Sequence, residues 1–271
     1  MLNLDFVTFV ALIAAVTLIL VWLWRRVRGR AATPWWAAVR VAALSFVALA
    51  MMSAVTYWVM SSRTFQVAGS LVYRVPASRR AVALTFDDGP DAAYVDEVLG
   101  DLGRYHARGT FFVVGAAALR EPAALRRLVA AGEEIGNHSY THARLVGVSV
   151  GRVAEEVERT DRVIRAAGYG VPILFRPPYC KKLVSEPYYL WRHGRTSVTW
   201  DLEPDSTASL AGDPTAMARY VAANARPGSI ILLHPWGKEG DASRRALPLI
   251  LEALAAKGYA FVTVSELLAS E

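Results

Sequence analysis

The sequence Ala-Val-Ala-Leu-Thr-Phe-Asp-Asp-Gly-Pro occupies residues 81–90 and carries the strongest structural signal in the chain. Residues 81–86 form a short apolar run, which predicts a buried strand. Two carboxylates, Asp87 and Asp88, follow the strand, and Gly89 and Pro90 then predict a turn. Because neighbouring strand residues point to opposite faces, the turn is expected to separate the two carboxylates. An Asp before Gly-Pro is also an ordinary turn former, so this segment alone leaves both interpretations open.

Short β-type runs alternate with helical patterns from residue 81 to the C-terminus. The predicted strands are 81–86, 110–114, 173–175, 197–200, 230–233 and 260–264. The predicted helices are 92–102, 122–131, 152–167, 214–223 and 242–256. Such alternation predicts an α/β fold with a parallel sheet covered by helices. Six units in about 190 residues favour a closed or partly closed (β/α) barrel.

Polar and charged residues follow several of these strands. Arg176 comes directly after the third predicted strand, Asp205 trails the fourth, and His234 ends the apolar run 230–233. Catalytic groups of (β/α) barrels lie at the C-terminal ends of strands, so these residues are expected to meet Asp87 and Asp88 there. Taken singly, His234 could cap a buried strand and Asp205 could be a turn residue or a helix cap.

His138 and His142 stand four residues apart, a spacing that places both imidazoles on one helical face or in one tight turn. Each ring can then give a nitrogen to the same ion at about 2.0–2.1 Å. Together with Asp88 they supply three protein ligands and leave an open position, the pattern of a catalytic metal site. Zinc is the expected metal for such a His₂Asp set, with cobalt or nickel as alternatives. The isolated histidines His106 and His193 are expected to be ordinary surface or core residues.

These blocks, in this order, resemble the polysaccharide deacetylase family, also described as the NodB homology domain or carbohydrate esterase family 4. The matching blocks are 85–90, 138–142, 176–179, 200–205 and 232–234. The resemblance covers about residues 80–268 and implies a distorted (β/α) barrel. It also implies an activity, the hydrolysis of N-acetyl groups on a glycan.

The resemblance assigns roles residue by residue. It implies Asp87 as the catalytic base, Asp88, His138 and His142 as metal ligands, Arg176 as the partner of the base, the Tyr179 N–H as the oxyanion donor, Asp205 as the carboxylate that tunes the acid, and His234 as that acid. It further implies substrate contacts for Pro178, Tyr179, Trp200 and Leu232. Chemically, Arg176 is expected to keep Asp87 ionised, and Asp205 is expected to keep His234 protonated.

Three residues depart from the family pattern. Ser206 stands where an aromatic residue is usual, Cys180 where Gly is common, and Pro235 where an acidic residue is frequent. None of them replaces a catalytic group, so they are expected to alter the pocket wall and the choice of substrate. Cys180 has no other cysteine to pair with. It is expected to be a buried, inert thiol, with a place in the cleft as the alternative.

The first sixty residues are predicted to be a membrane anchor with two spans, 6–24 and 41–60, each close to the roughly 20 apolar residues needed. A cleaved signal peptide is the alternative, but here the positive charge follows the apolar run. The basic connection 25–30 predicts a cytoplasmic loop. Both termini, and the catalytic domain, would then lie outside the cytoplasmic membrane. The net charge is +4 over residues 1–60 and +2 over the rest, which argues against a nucleic-acid partner.

The sequence thus predicts a connector over 61–80 and a deacetylase domain over 81–271. The expected partners are membrane lipid and an N-acetylated glycan, such as peptidoglycan, a chitin-like oligomer or an exopolysaccharide. Two other enzyme functions stay open: a deacetylase or deformylase of a lipid-linked sugar, favoured by the short connector, and an O-acetyl esterase. A non-catalytic function, a glycan-binding module, is the remaining alternative, and Ser206 and Pro235 motivate it.

Overall fold

The computed structural model of the protein describes residues 19, 20, 22, 24–26 and 35–269. Its first fully described element is a long helix, α1 (Trp35–Ser61), whose 27 residues extend about 40 Å. Within those residues, the part Val39–Ser61 is the one candidate membrane span, by length and composition. This helix corresponds to the second predicted span. The first predicted span, 6–24, lies mostly outside the described residues, and the two-pass arrangement stays a prediction.

The rest of the chain forms a parallel α/β structure. The strands are β1 (Leu71–Val72), β2 (Ala81–Asp87), β3 (Gly109–Val113), β4 (Glu134–Asn137), β5 (Ser197–Val198), β6 (Ile230–Leu233) and β7 (Ala260–Phe261). The main sheet has the order β4-β3-β2-β6, β7 also pairs with β2, and β1 pairs with β5. Every strand pair is parallel, as the alternation of strands and helices predicted.

Isolated bridges link the two sets of strands. Phe175 pairs with Asn137 of β4 on one side and with Ser197 of β5 on the other. Beyond β5, Leu202 pairs with Ile231 of β6. The pairings therefore run round a ring, in which single residues replace full strands at two places. This ring is the distorted barrel that the resemblance implied.

Helices follow most strands and cover the outside of the ring. They are α2 (Val95–Arg104), α3 (Gly115–Arg120), α4 (Pro122–Ala130), α5 (Val150–Ala166), α6 (Ser185–Arg192), α7 (Pro214–Asn224), α8 (Asp241–Ala256) and α9 (Val264–Leu268). All five predicted helices are present, within a few residues of their expected ends. The sequence missed α3, α6 and α9, each of which has eight residues or fewer.

Side chains of β2 alternate between the two faces of the sheet, and this alternation orients the residues at its active-site end. Val82, Leu84 and Phe86 belong to the core between sheet and helices. Ala81 and Ala83 belong to a second core inside the ring, with Phe112 and Leu232 among its members. Thr85 and Asp87 share the parity of these alanines, so β2 directs the Asp87 carboxylate inward.

Three sequence expectations need correction. The predicted strand 173–175 is only a pair of bridges at Phe175, because Pro172 and Pro177 restrict the backbone on either side. The sequence missed β4, since Glu134, Gly136 and Asn137 are poor strand formers. Gly136 is required there, because a Cβ at this position would lie 2.4 Å from the Phe112 ring. The predicted connector 61–80 contains β1, which is too short to be recognised in the sequence.

Candidate active site

Asp87 and Asp88 part at the end of β2. Asp87 is the last residue of the strand and is 2% exposed. Asp88 has φ 76°, a left-handed conformation that breaks the strand alternation and re-aims its side chain. The two carboxylates therefore point in different directions, as the turn signal predicted, although one oxygen of each lies 3.5 Å from His138 Nε2.

Asp87 meets Arg176 inside the ring. The Nη1 of Arg176 donates to Asp87 Oδ1 at 2.7 Å and to Thr85 Oγ1 at 2.9 Å. Its Nε and Nη2 donate to the carbonyls of Val198 and Thr199, at 3.2 and 3.1 Å. Arg176 is fully buried, and its guanidinium carbon lies 4.0 Å from the centre of the Phe112 ring. The arginine is thus held by four partners and has one rigid position.

Burial and charge act in opposite directions on Asp87. Burial raises the pKa of Asp87, and the charges and hydrogen bond of Arg176 and nearby histidines lower it by less. The pKa of Asp87 therefore lies above its ordinary value, and the expectation that Arg176 keeps Asp87 ionised stays a prediction. A divalent cation beside Asp87 would lower this pKa.

The two histidines lie in a loop after β4 and not on a helix. Two residues of this loop, Ser139 and His142, have φ values of 62° and 58°. The buried carboxylate of Glu156, on α5, accepts from the N–H groups of Tyr140 and Thr141, both at 2.8 Å. A tight loop, fixed from α5, therefore brings the two imidazoles together.

His138 is prepared to bind a metal. Its Nδ1 lies 2.8 Å from the carbonyl oxygen of Arg176. Since a carbonyl only accepts, Nδ1 carries the proton and Nε2 presents a lone pair. Burial lowers the pKa of His138 to about 3, which keeps the ring neutral. Neutral imidazole is the form that ligates metals.

The predicted metal triad is assembled in the structure. The Nε2 atoms of His138 and His142 lie 3.5 and 3.1 Å from Asp88 Oδ1. The three ligand atoms lie within 4.8 Å of one another. Two imidazole nitrogens and one carboxylate oxygen fit a divalent ion such as zinc, and the identity of the metal stays a prediction.

The opposite side of the triad holds Asp205 and His234. Asp205 Oδ2 accepts from the His234 backbone N–H at 2.6 Å and lies 3.2 Å from His234 Nδ1. Ser243, on α8, donates its hydroxyl to the same oxygen at 2.8 Å. Burial would lower the pKa of His234, but the hydrogen bond and charge of Asp205 outweigh it and raise the pKa to about 9. Burial likewise opposes ionisation of Asp205, but His234 and Ser243 outweigh it and lower that pKa.

One cleft with two lobes joins these groups. The first lobe, of about 370 Å³, is lined by Ser61, Arg63, Asp87, Asp88, His138, His142, Tyr179, Cys180, Trp200, Glu203, Ser206 and His234. The second, of about 360 Å³, is lined by Asp88, Asp205, Ser206, His234, Trp236, Glu239, Gly240 and Ser243. The lobes share Asp88, Ser206 and His234, and all three residues of the metal triad line the first lobe.

Most of the predicted site residues reach this cleft, but three do not line it. Arg176, Pro178 and Leu232 are buried behind its wall, and Leu232 is 1% exposed within the inner core. Cys180 is buried, as expected, yet it also borders the first lobe. Of the other two departures from the family pattern, Ser206 lines both lobes, which supports its expected effect on the wall.

Sequence reasoning missed several residues of the cleft. Arg63 and Ser61 come from the end of α1 and the segment after it, which the sequence treated as anchor and connector. Ser243 comes from α8, about forty residues beyond the carboxylate that it contacts. Thr85 stands inside the opening motif, two positions before Asp87. Because residues two apart on a strand share a face, the sequence could have placed Thr85 beside Asp87.

Left-handed backbone is concentrated around the triad. Among the described residues, the non-glycine positions with positive φ are Asp88, Ser139, His142, Tyr179 and Cys180 at the site, and His106 elsewhere. Such conformations cost about 1–3 kcal/mol each and persist where the surroundings enforce them. Their position here agrees with a site that has been shaped for ligand or substrate.

Comparison with known proteins agrees with this geometry. The profile of the family described as polysaccharide deacetylase matches residues 74–195. A peptidoglycan-N-acetylglucosamine deacetylase of Bacillus cereus is 33% identical over 200 residues, which cover 73% of this chain and 92% of that protein. A chitooligosaccharide deacetylase of Bradyrhizobium sp. (strain ANU 289) is 32% identical over 200 residues, covering 66% of this chain and 87% of that protein.

A solved structure extends the similarity to three dimensions. The crystal structure of a peptidoglycan N-acetylglucosamine deacetylase has a TM-score of 0.69 with this chain at 28% identity. The alignment covers 74% of this chain and 93% of the other. This chain belongs to the polysaccharide deacetylase family, a family of hydrolases that act on carbon–nitrogen bonds other than peptide bonds.

Proposed function

We propose that this protein is a membrane-anchored, metal-dependent deacetylase that removes N-acetyl groups from a cell-envelope or extracellular glycan. One observation carries the proposal: Asp88, His138 and His142, which could ligate one metal ion, stand in one cleft between the buried Asp87 carboxylate and the paired Asp205 and His234. The relatives named as deacetylases of peptidoglycan and chitooligosaccharide indicate N-acetylglucosamine polymers as the substrate class.

Asp88, His138 and His142 would hold the metal. A divalent ion bound there supplies Lewis acidity, which makes a water more acidic and an acetyl carbonyl more electrophilic. Asp87, on the inner side, accepts the proton of the attacking water. Arg176 keeps the Asp87 carboxylate in one orientation through the bond from Nη1, so that its second oxygen, Oδ2, is free for the proton.

The remaining groups act on the amide. The backbone N–H of Tyr179, beside the cleft, would stabilise the oxyanion, an effect worth about 3–4 kcal/mol where such a donor has been removed in other enzymes. His234 gives its proton to the departing nitrogen, because an amine leaves poorly unless it is protonated. Its pKa of about 9 keeps that proton in place at neutral pH.

Helix α1 supports the location that we propose. It is long enough to cross a bilayer, and the exposed aromatic residues Tyr57 and Trp58 near its end suit a membrane interface. The catalytic domain would then stand on the outer side of the cytoplasmic membrane. Ser61, the last residue of α1, lines the cleft. This placement favours a second candidate substrate, a lipid-linked N-acetylated sugar held at the same surface.

The test measures acetate release by the full chain in detergent from chitotetraose and from a polyprenyl-linked N-acetylated sugar. We expect release from at least one of them, its loss with a chelator, and its return with added zinc. Asp87→Asn should lower kcat by at least about a hundredfold. The matched control is Asp96→Asn, an exposed carboxylate of α2, which should leave the rate unchanged.

Other outcomes would reject parts of the proposal. Chelator-insensitive release would exclude metal dependence. A protein that binds no divalent ion and releases no acetate would be the glycan-binding module. Release from O-acetylated glycan alone would indicate an esterase, and release from the polyprenyl-linked sugar alone would assign the lipid-linked substrate.

A further inference from the structure

The segment that follows α1 is attached to the active-site loop. The backbone N–H of Lys182 donates to the carbonyl of Met60 at 3.0 Å, and Lys181 Nζ contacts the Ser61 hydroxyl. The hydroxyl of Thr199 donates to the carbonyl of Arg63 at 2.6 Å. The first two bonds come from the loop that carries Tyr179. The end of α1 and this loop therefore fix each other's position.

Apolar packing fixes the same segment from behind. Val59, Val67 and Ala68 are each at most 3% exposed and form one small core. Phe65 and Trp191 pack against this core. The backbone on both sides of Arg63 therefore has a defined position, although Arg63 itself is polar and lies at the surface.

The side chain of Arg63 lies at the rim of the first lobe. Its Nη1 is 3.7 Å from Glu203 Oε2, beyond hydrogen-bond distance, and its side chain is 47% exposed. The Trp200 indole N–H donates to that same Glu203 oxygen at 2.8 Å. Arg63 and Glu203 thus form one wall with a donor group and an acceptor group, and the nearly buried Trp200 positions both, since the Arg63 guanidinium carbon lies 5.8 Å from the centre of its ring.

Such a wall matches a sugar ring. A guanidinium carries five N–H donors, and one long ion pair leaves most of them for a ligand. Glu203 offers acceptor capacity for hydroxyl groups, and its bond from the Trp200 indole fixes its position. The amide to be cleaved must lie at the triad, which lines the same lobe as Arg63 and Glu203. Because Arg63 lies at the rim of that lobe, a glycan that extends beyond the cleaved amide reaches this wall.

We propose that Arg63 and Glu203 are specificity-determining residues that bind the sugar next to the one that loses its acetyl group. This inference rests on the proposed deacetylase function. The anchor-proximal segment is then part of the substrate site as well as a tether. Arg63 contributes to the choice of substrate by length, because its place at the rim of the lobe favours contact with a sugar beyond the one bound at the triad.

The test uses the full chain in detergent and compares chitotetraose with monomeric N-acetylglucosamine. For Arg63→Ala we expect the KM for chitotetraose to rise about tenfold, the effect of losing one charged hydrogen-bond partner, with a much smaller fall in kcat. The ratio of kcat/KM between tetramer and monomer should fall by a similar factor. Glu203→Gln, which keeps an acceptor for Trp200, should lower the same ratio. Arg63→Lys, which keeps the charge but loses the fork, should give an intermediate ratio.

Arg79→Ala is the matched control, since Arg79 is exposed in the same region before β2 and lines neither lobe. An unchanged length ratio in Arg63→Ala would overturn the inference. So would an equal loss of kcat on both substrates together with a lower melting temperature, because that result indicates a structural role. Failure of the wild-type protein to release acetate from any glycan would instead reject the proposed function.

Discussion

Two acid–cation pairs flank the metal triad, and they behave in opposite ways. Asp87 pairs with Arg176 and Asp205 pairs with His234, and both carboxylates are well buried. Nevertheless the pKa of Asp87 is raised, mainly by burial, whereas the pKa of Asp205 is lowered against the same force. A cationic neighbour is therefore not enough to lower the pKa of a buried acid.

The number of hydrogen-bond donors explains the difference. Asp205 receives the His234 N–H, the His234 ring and the Ser243 hydroxyl. Asp87 receives a hydrogen bond from Arg176, whose other donors are shared among Thr85 and two carbonyls. A carboxylate stabilised by several donors stays charged, while one with few donors and deep burial is a better proton acceptor. The two sides thus suit a base and an acid respectively.

The largest effect is expected from Arg176→Met. This change leaves Asp87 buried without its cation, which costs about 3–5 kcal/mol of unfolding free energy for a buried pair broken on one side. Activity should fall as well, since Asp87 loses its orientation. The measurement is denaturant unfolding of the full chain in detergent, with acetate release measured in parallel.

The double variant Arg176→Met with Asp87→Asn provides the control for that experiment. Removing the second charge should restore part of the stability but none of the activity. If the double variant is no more stable than Arg176→Met, the cost arises from the lost bonds to Val198 and Thr199, and the charge imbalance at Asp87 is not its cause.

The sequence was sufficient to predict the groups that stand directly after strands. Asp87, Asp88 and His234 were found because a parallel sheet collects such residues at one edge. The histidine spacing was equally informative, although it could not distinguish a helix from the loop that the structure shows. The distorted ring itself came from the resemblance, since a single bridging residue such as Phe175 leaves no periodic signal.

The sequence could not predict quantities that depend on burial and on distant parts of the chain. The raised pKa of Asp87 follows from its depth in the ring, and Ser243 reaches Asp205 only because α8 packs beside β6. Likewise, Arg63 precedes the first motif by more than twenty residues and nothing in the local pattern marks it. Physical contacts across the fold, and not residue type, assign these groups to the site.

Asp205→Asn tests the acid side of the comparison. In the wild type we expect kcat/KM to fall above about pH 9, where His234 loses its proton. The Asp205→Asn variant lacks the negative charge, so the pH at which kcat/KM falls, the alkaline limb of the profile, should be lower by at least about one unit. At pH 9 the protonated fraction of His234 should then fall from about one half to about one tenth, so the activity should be lower by at least about fivefold. The measurement is a pH profile of acetate release with metal in excess.

Stability provides an independent check on Asp205→Asn. His234 has a folded pKa of about 9 against an ordinary value of 6.5. Its protonation therefore stabilises the fold fully below pH 6.5, and this contribution is lost as the pH rises through 9. The variant should lose that pH dependence. If the activity of Asp205→Asn falls at the same alkaline pH as that of the wild type, a group other than His234 causes the fall. The contrast between the two acid–cation pairs would then be contradicted.

The smallest effect is expected from Ser243→Ala, which removes one of the donors on Asp205 and leaves both His234 contacts intact. Unfolding free energy near neutral pH should fall by about 1.5 kcal/mol, the low end of the cost of losing a hydrogen bond to a charged group. The folded pKa of Asp205 lies below 3.8, so its contribution is present above pH 3.8 and lost as the pH falls through the folded pKa. The difference between variant and wild type should shrink in that acid range. The exposed Ser209→Ala is the control. If the alkaline limb of the Ser243→Ala profile moved as far as that of Asp205→Asn, the number of donors on Asp205, and not its charge, would set the pKa of His234.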